Sequence, residues 1–241
     1  MKTENILILG DGLLGGEIKS QTNWDIISRR VNGFDFNQND CLTISYDGIN
    51  DIKAYDIIIN CIANTNTYSD DRDSMLETNY KSVYRLALFC NEFKIKLVHI
   101  GTDFVYANNS KELPSESDVP VHAENWYSYS KLLADGVIEL ISKDYLICRC
   151  THKPYPFPFK KAFTDRIGNF DYTFKIAQLI IKLIKLDASG LYNTGTEVKS
   201  MYDLVKGDCP GIEPTLSQEG IPKKTAMSIE KLKNLCGADF F

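Results

Sequence analysis

Three groups of residues in this chain have types and spacings that could carry chemistry. The first is a glycine turn, Gly10–Gly15, which follows a short apolar run. The second is a tyrosine and a lysine four residues apart, Tyr127 and Lys131. The third is a hydroxyl, Thr102, after another apolar run. Glycine turns accept phosphates, and a phenol beside an ammonium transfers protons. Together these groups predict a dinucleotide site that acts on a carbonyl.

The glycine turn predicts the phosphate-binding end of that site. Gly10 permits the tight turn after the strand, Gly12 lets the backbone approach a pyrophosphate, and Gly15 lets the next helix pack closely on the sheet. That helix points its positive N-terminus at the phosphates. Because the turn follows a predicted strand and opens a predicted helix, its context matches the motif. The residues expected to contact the cofactor here are Gly10, Gly12, Leu13, Leu14 and Gly15.

The end of the second predicted strand bears on the choice of cofactor. An NAD-binding unit usually carries an acid there for the ribose 2′-hydroxyl. This chain has Ser28, Arg29 and Arg30 instead. A guanidinium suits a 2′-phosphate through paired hydrogen bonds, so we expect NADP(H) to be preferred, with NAD(H) still possible. We also expect Asp35 near the adenine. The alternative is that both arginines face solvent.

Tyr127 and Lys131 predict a proton donor. On a helix, residues four apart share a face, so the phenol would lie beside the ammonium. The cation favours the phenolate and lowers the tyrosine pKa toward working pH. Tyr127 could then give its proton to a carbonyl oxygen, and Lys131 could also reach the nicotinamide ribose. Thr102 could hydrogen-bond the same carbonyl oxygen.

The elements that must position these residues alternate along the first part of the chain. Short apolar runs bounded by turns predict buried parallel strands, and segments with helical periodicity separate them. This alternation predicts an α/β fold, a Rossmann-type doubly wound parallel sheet with ligands at the carboxyl ends of its strands. The predicted strands are 6–9, 25–28, 56–61, 97–100 and 145–148, and the predicted helices are 14–21, 80–93 and 125–141.

The pattern changes after Thr151. Three prolines predict a loop rather than a strand over 152–159, and the tail from Pro210 reads as irregular until a final helix. We therefore predict two domains. Residues 1–151 would form the NAD(P)-binding domain, which would also take a strand near 190–195. Residues 152–241 would form a small, partly irregular substrate-binding lobe, with helices over 174–186 and 228–235.

Composition excludes several classes of protein. The chain has 241 residues, 44% of them hydrophobic and 24% charged, which is ordinary for a globular protein. A net charge of −5 argues against a general nucleic-acid binder. We expect a cytoplasmic protein with no membrane contact, because neither a secretory signal nor a bilayer-length apolar run is visible. The pair Cys148 and Cys150 has the wrong spacing for a zinc site, and no metal is expected.

With these residues in view, the chain resembles the extended short-chain dehydrogenase/reductases, and within them most resembles the dTDP-4-dehydrorhamnose reductase group. The glycine turn, Asn60–Ala63, Thr102, Tyr127 and Lys131 carry the first resemblance. The stretch 101–106, Gly-Thr-Asp-Phe-Val-Tyr, is similar to that group's Ser-Thr-Asp-Tyr-Val-Phe. Segments 165–172 and 222–228 also resemble the group. The resemblance is specific over 1–150 and thin afterward.

The resemblance implies roles for named positions. Thr102, Tyr127 and Lys131 would be the catalytic set. Cofactor contacts would extend to Cys61, Ile62, Ala63, Cys150 and Thr151, and would include Tyr127 and Lys131 of the catalytic set. The substrate, a nucleotide sugar, would be bound by Asn64, Asp103, Phe104, Val105, Lys153 and Lys223. Asn79 would be structural, and a homodimer is a reasonable expectation.

One position separates reduction from dehydration. Sugar-nucleotide dehydratases carry a Glu after the Thr-Asp pair, whereas here Phe104 follows Asp103. An aromatic side chain cannot transfer a proton, so we predict NAD(P)H-dependent reduction of the 4-keto group of a nucleotide-linked deoxysugar, for cell-surface polysaccharide synthesis. The alternatives are another nucleotide-sugar reductase or epimerase, or a non-catalytic NADP-binding regulatory subunit.

Overall fold

The computed structural model describes residues 4–107, 109–118, 120–121 and 125–237. The strands are β1 (Ile6–Leu9), β2 (Asp25–Ile27), β3 (Ile57–Asn60), β4 (Lys96–Gly101), β5 (Tyr145–Arg149), β6 (His152–Lys153), β7 (Lys161–Phe163), β8 (Ile167–Gly168), β9 (Asp171–Tyr172), β10 (Gly190–Asn193), β11 (Lys199–Ser200) and β12 (Glu213–Thr215). The helices are α1 (Leu13–Ser20), α2 (Arg29–Asn32), α3 (Arg72–Leu76), α4 (Ser82–Phe93), α5 (Trp126–Ile141), α6 (Thr173–Lys185), α7 (Met201–Val205) and α8 (Glu230–Cys236). A π-helical turn (Glu77–Lys81) links α3 to α4.

The main sheet has six strands in the order β10-β5-β4-β3-β1-β2. The pairings of β1 with β2, of β1 with β3 and of β3 with β4 are parallel. Strand order reverses at β1 and β3, because β2 lies on one side of β1 and all later strands lie on the other. Ligands of open parallel sheets bind at such a reversal. The predicted α/β class with a parallel sheet is confirmed.

The chain divides into two compact units, which are described separately below. Unit 1 consists of the described residues within Met1–Gly101, Glu124–Ile147 and Ala188–Gly190. Unit 2 consists of those within Thr102–Ala123, Cys148–Asp187 and Leu191–Phe241. The boundary at 151 and 152, inferred from the sequence, stays a prediction.

Unit 1 is held by helices with one apolar face against parallel strands. On α1, Leu14 and Ile18 are buried four residues apart, while Leu13 is 61% exposed at the start of the helix. The helix α4 packs on β4 and on α5. It ends at Phe93, and the next residue, Lys94, has a left-handed φ of 58°. This packing fixes α1, which follows the glycine turn, and α5, which carries Tyr127 and Lys131.

Unit 2 combines one strongly amphipathic helix with three two-stranded sheets. The helix α6 packs on β6 and β9, and its buried face includes Ile176, Leu179, Ile180 and Leu183. The small sheets pair β11 with β8, β12 with β7, and β6 with β9. A compact core of Ala162, Phe170, Tyr172, Met201 and Val205 lies among them.

Two expectations for the second half of the chain were wrong. The segment 152–159 was expected to contain no strand, but His152–Lys153 pairs in parallel with Asp171–Tyr172. The tail was expected to be irregular before its helix, but Glu213–Thr215 pairs with Lys161–Phe163. Strands of two or three residues are too short for an apolar alternation to show in the sequence.

Two kinds of feature are absent from the part of the chain that the structure describes. None of its helices is both long enough and apolar enough to cross a bilayer. None of its groups of His, Cys, Asp and Glu side chains could together hold a metal ion.

Candidate active site

The glycine turn connects β1 to α1 in unit 1. Gly10 has a φ of +95°, and a Cβ on it would lie 2.7 Å from Ile62 Cγ1. A Cβ on Gly15 would overlap the carbonyl oxygen of Gly10, so α1 can approach the turn this closely only with glycine there. A Cβ on Gly12 would meet nothing within 4 Å. The backbone therefore faces open space immediately before the N-terminus of α1, where the motif places a pyrophosphate.

The arginines after β2 are paired with carboxylates. Arg30 Nε lies 2.9 Å from Asp11 Oδ2, and Arg29 Nη2 lies 2.8 Å from Asp35 Oδ1. These hydrogen bonds hold the pKa of each carboxyl below its ordinary value. Both guanidiniums are largely exposed, while Ser28 is buried and its hydroxyl caps α2. The arginines can therefore reach a ligand phosphate, but the carboxylates compete for them.

The segment after β3 is fixed by a pair of asparagines. The Asn64 N–H donates to Asn79 Oδ1 at 2.7 Å, and Asn79 Nδ2 donates back to the Asn64 carbonyl at 3.0 Å. Asn79 Nδ2 also lies 3.1 Å from Ser130 Oγ on α5. Asn79, which sequence reasoning took as structural, thus ties this segment to the helix of Tyr127. The predicted cofactor contacts Cys61, Ile62 and Ala63 lie here, each partly exposed.

The amine of Lys131 is buried within unit 1 among polar groups that it contacts. Lys131 is 2% exposed, and its Nζ donates to the Ile100 carbonyl at 2.6 Å. The same Nζ lies 3.0 Å from Nε2 of His99. Burial, then the nearby charge of Lys131, lowers the pKa of His99 well below its ordinary value, so the imidazole is neutral. Tyr127 is half-buried one turn earlier on α5, whose N-terminus is capped by Asn125.

Thr102 and Asp103 begin unit 2, directly after β4. The Thr102 hydroxyl accepts from the Phe104 N–H at 3.3 Å and lies 3.5 Å from Asp103 Oδ1. Asp103 is 1% exposed, and its carboxylate accepts hydrogen bonds from Thr151 and, at 2.7 Å, from Thr225. Asp103 thus joins three segments that are far apart in the chain.

The other predicted contacts in this part of unit 2 are mostly buried. Phe104, Val105 and Cys150 are each 5% exposed or less. Thr151 is half-buried, with its hydroxyl on Asp103. These side chains form packing in unit 2, and their roles toward a ligand stay predictions.

Unit 2 contains an open cleft of about 520 Å³ with an unusual lining. Its described lining includes the aromatic rings of Phe157, Phe159 and Phe163, four cations and no carboxylate; the cations are Lys153, Lys160, Lys161 and Arg166. Burial, then repulsion from Arg166, lowers the pKa of Lys153 to about 8. The Arg166 Nε is buried without a hydrogen-bond partner among the described residues, and its guanidinium lies 5.3 Å from the Phe104 ring centroid.

The structure separates two lysines predicted to bind the same substrate. Lys153 lines the aromatic cleft, whereas Lys223 lines a second cleft of about 320 Å³ beside Tyr106 and Lys224. Lys223 is also ion-paired to Asp165 at 3.2 Å. The two lysines therefore face different cavities of unit 2.

Sequence reasoning gave no role at the site to His99 or Arg166. For His99 a signal was present, because a histidine inside an apolar strand is a buried polar group that needs partners. Nothing in the sequence spacing indicated Arg166, although it lines the same cleft as Lys153.

A parallel sheet with a glycine turn at its point of reversal defines a Rossmann-type α/β protein. Over residues 4–152 the chain matches the model of the family described as RmlD substrate binding domain. The match spans more than half of the chain, and the protein belongs to this family. The resemblance to the dTDP-4-dehydrorhamnose reductase group is thereby confirmed.

Sequence identity to individual relatives is modest. The chain is 30% identical over 166 residues to the spore coat polysaccharide biosynthesis protein SpsK of Bacillus subtilis, and 26% identical over 170 residues to a dTDP-4-keto-6-deoxy-D-glucose reductase of Streptomyces niveus. The matched stretches are 61% and 62% of this chain, and span 58% of the length of each relative. The dTDP-4-dehydrorhamnose reductase of Bacillus anthracis, solved with NADP, has a similar fold. Its TM-score is 0.81 at 22% identity, over 96% of this chain and 92% of that one.

Proposed function

We propose that this protein is an NAD(P)H-dependent reductase of a nucleotide-linked deoxysugar, acting on the 4-keto group in the synthesis of a cell-surface polysaccharide. The observation that carries the proposal is that Lys131 is buried, with its Nζ on the Ile100 carbonyl and beside His99, one helical turn after a half-buried Tyr127. A phenol followed one helical turn later by an amine suits proton transfer to a carbonyl oxygen. The name of the Streptomyces relative points to the same class of substrate, and the name of the Bacillus relative to polysaccharide synthesis.

The glycine turn fits a dinucleotide cofactor. The open space at Gly12, and the closeness that glycine alone allows between Gly10 and Gly15, form a cradle for a pyrophosphate. Arg29 and Arg30 supply exposed guanidiniums for a 2′-phosphate, which supports NADP(H) over NAD(H). When bound, the nicotinamide ring supplies the hydride that the reduction needs.

The residues of this chain would supply the proton. Tyr127 would donate it to the substrate oxygen as the keto carbon is reduced, a role typically contributing roughly 10²–10⁴-fold in rate. Lys131, held on the Ile100 carbonyl, would fix the electrostatic surroundings of the phenol. The Thr102 hydroxyl lies 3.5 Å from Asp103, at the limit of hydrogen bonding, so its proton can turn to a substrate oxygen.

The aromatic cleft of unit 2 supports a nucleotide sugar as substrate. Aromatic rings stack with a base, and cations accept a diphosphate. Of the four cleft cations, Lys161 is also ion-paired with Glu213 at 3.4 Å. Lys153 and Arg166 are adjacent like charges whose repulsion an anionic ligand would relieve. The proposal therefore assigns the nucleotide part of the substrate to this cleft.

The surroundings of Asp103 favour reduction over dehydration. Dehydration needs a carboxyl group that can exchange protons with the sugar. The Asp103 carboxylate is buried and accepts hydrogen bonds from threonine hydroxyls, and the next residue is Phe104. Neither side chain is placed to act as a proton-transfer group.

The direct test is oxidation of NADPH, followed by its absorbance, with a panel of 4-keto-6-deoxy sugar nucleotides. We expect turnover with at least one of them, and Tyr127→Phe should lower kcat by roughly 10²–10⁴-fold while leaving NADPH affinity unchanged. Tyr129→Phe is the matched control, because Tyr129 lies on the same helix and is 37% exposed; it should keep full activity.

Two results would contradict this function. Near-normal activity of Tyr127→Phe would remove the proton-donor role. Tight NADPH binding without turnover on any substrate of the panel would favour the alternative of a cofactor-binding regulatory subunit.

A further inference from the structure

The Asp103 carboxylate of unit 2 is surrounded by threonine hydroxyls at unequal distances. The Thr151 hydroxyl donates to Oδ1, and the Thr225 hydroxyl donates to Oδ2 at 2.7 Å. The Thr102 hydroxyl lies 3.5 Å from Oδ1, outside the usual O–H···O range of roughly 2.5–3.0 Å. Asp103, Thr102 and Thr225 are each 2% exposed or less, so their polar atoms are shielded from water. The carboxylate therefore has its close hydrogen bonds to Thr151 and Thr225 rather than to its neighbour Thr102.

Both close donors lie on segments that are held by backbone pairing. Thr151 immediately precedes β6, which pairs in parallel with β9. The Thr225 N–H donates to the Ile167 carbonyl at 3.0 Å. To approach Thr102, the carboxylate of Asp103 would have to stretch hydrogen bonds to two separately anchored segments. These bonds therefore fix the carboxylate at its present distance from the Thr102 hydroxyl.

The Thr102 hydroxyl is oriented by a different contact. Its oxygen accepts the Phe104 N–H at 3.3 Å and caps the 3₁₀ turn Asp103–Tyr106. This bond uses an acceptor site of the oxygen and not its proton. A carboxylate is a stronger acceptor than a neutral carbonyl oxygen, so Asp103 would take the Thr102 proton if the two groups came closer.

We propose that Thr151 is a positioning residue for Thr102. Together with Thr225, it holds the Asp103 carboxylate out of close reach, so that the Thr102 hydroxyl keeps its proton for the substrate oxygen. This inference rests on the proposed reductase function, in which Thr102 hydrogen-bonds the carbonyl that is reduced. The family resemblance implies a cofactor contact for Thr151 and no role of this kind. Thr151 acts through Asp103 rather than by contact with the substrate.

The consequence for catalysis follows from how a hydrogen-bond donor stabilises a developing charge. Negative charge grows on the substrate oxygen as the keto carbon is reduced, and a donor already aimed at that oxygen lowers the barrier. A hydroxyl that donates to a carboxylate would first have to break that bond. Holding Asp103 away from Thr102 avoids this rearrangement in each turnover.

The first experiment removes the Thr151 hydroxyl with Thr151→Val, which keeps the shape of the side chain. Asp103 then loses a donor, and Thr102 takes its place. Removing the Thr102 donor altogether with Thr102→Val should lower kcat by roughly 10²–10³-fold, and Thr151→Val should lower it by about 10-fold, because Thr102 can still turn to the substrate. KM and the Kd of NADPH should stay unchanged. Thr151→Ser, which keeps the hydroxyl, should restore the wild-type kcat.

A double-mutant cycle shows whether Thr151 acts through Thr102. In the Thr102→Val background, Thr151→Val should have no further effect on kcat, because the proton that it protects is gone. Losses that multiply in the double variant would mean that the two threonines act independently, and would overturn the proposal. A higher Kd of NADPH with an unchanged kcat in Thr151→Val would also overturn it, in favour of a cofactor contact.

Thr196→Val is the matched control for the loss of a bond between a threonine and an aspartate. The Thr196 hydroxyl donates to Asp171 Oδ2 at 2.7 Å in the same unit, and Thr196 is 6% exposed. This variant should lower the thermal unfolding midpoint about as much as Thr151→Val does and leave kcat unchanged. Equal losses of kcat in the two variants would mean that Thr151 contributes only to the stability of unit 2, which would contradict the proposal.

Crystal structures of the wild-type protein and of the two Thr151 variants test the arrangement without turnover. The distance from Thr102 Oγ1 to Asp103 Oδ1 should fall below about 3.0 Å in Thr151→Val and stay near 3.5 Å in the wild type and in Thr151→Ser. An unchanged distance in Thr151→Val would remove this inference even if the protein is an active reductase. A shortened distance without turnover on any sugar nucleotide would remove the proposed function and support the hold of Thr151 on the carboxylate.

Discussion

Two lysines in the two units of this protein have contrasting surroundings. Lys131 in unit 1 is 2% exposed, with its Nζ held between the Ile100 carbonyl and the His99 ring. Lys153 in unit 2 is half-buried in a cleft with Arg166 and no lining carboxylate, and its pKa is lowered to about 8. One amine has its partners within the fold, whereas the other lies beside a like charge.

The contrast shows how each unit is prepared for a ligand. A fixed seat suits a group that must keep one geometry at a reacting centre, because preorganised dipoles need not rearrange during the reaction. Adjacent cations beside open aromatic surface raise the energy of the free protein, and an anionic ligand removes that penalty on binding. In unit 1, Lys131 therefore has its polar partners before a ligand binds. In unit 2, Lys153 and Arg166 repel each other until an anionic ligand binds.

The largest expected effect comes from breaking the preorganised turn of unit 1. Gly15→Ala sets a methyl group against the Gly10 carbonyl oxygen, which is backbone and cannot move aside. We expect a loss of about 3 kcal/mol in the free energy of unfolding and a loss of NADPH binding. Urea denaturation and a cofactor titration measure the two effects.

Gly16→Ala is the matched control for this change. A Cβ on Gly16 would lie 3.6 Å from the Asp11 carbonyl oxygen, an ordinary contact, and the position is inside α1. This variant should gain about 0.5–1 kcal/mol in stability, because alanine suits a helix better than glycine. Equal behaviour of the two variants would show that the close approach at Gly15 is not what fixes the turn.

The difference between the units also explains what the sequence could predict. The glycine turn, its flanking strand and helix, and the Tyr127–Lys131 spacing are local patterns whose period or order determines their structure. They identified the parallel sheet and the helix that carries both side chains. The predicted strand 6–9 and the observed β1 are identical, and the helix predicted over 125–141 begins one residue later.

The environment of each side chain in unit 2 depended on contacts distant in sequence. Asp103 accepts from Thr225, which is 122 residues away, so its burial could not be inferred from the neighbouring motif. The sheets of unit 2 have strands of two or three residues, and their pairing follows from packing rather than from periodicity. The motif suggested a substrate contact at Asp103, which stays a prediction, and it did not indicate the buried junction that Asp103 forms with Thr225.

A second prediction tests the adjacent cations Lys153 and Arg166 in the cleft of unit 2. Lys153→Met and Arg166→Met should each raise KM for the sugar nucleotide by about 10-fold or more, since a charge-assisted hydrogen bond contributes about 1.5–3 kcal/mol. NADPH affinity should stay unchanged. Lys206→Met is the control, because Lys206 is exposed, paired with Asp203 and absent from the lining of the cleft. A rise in the cofactor Kd in place of KM would contradict the division of roles between the units.

The pH dependence of KM sharpens the same test. With a pKa of about 8, Lys153 is charged below that pH and neutral above it. KM for an anionic substrate should therefore increase as the pH is raised through 8, and Lys153→Met should remove this increase. Substrate binding raises the pKa of a lysine that contacts an anion, so the change in KM should level off above the pKa of the complex. A wild-type KM that stays constant from pH 7 to pH 9 would mean that Lys153 does not contact the substrate.

The smallest expected effect concerns Arg29 and Arg30 of unit 1. Unlike Lys131 they are exposed, and unlike Lys153 they are already paired with carboxylates. Replacing Arg29 and Arg30 with alanine should weaken NADPH binding by about 5–10-fold and leave NADH binding unchanged, since only NADPH carries the 2′-phosphate. Arg72→Ala on α3 is the control, since Arg72 is exposed and lies away from β2. Equal weakening of both cofactors would show that the arginines act by holding Asp11 and Asp35 in the turn. In that case unit 1 would bind the pyrophosphate but not the ribose 2′-phosphate. The preference for NADP(H) would then have no structural basis in this chain.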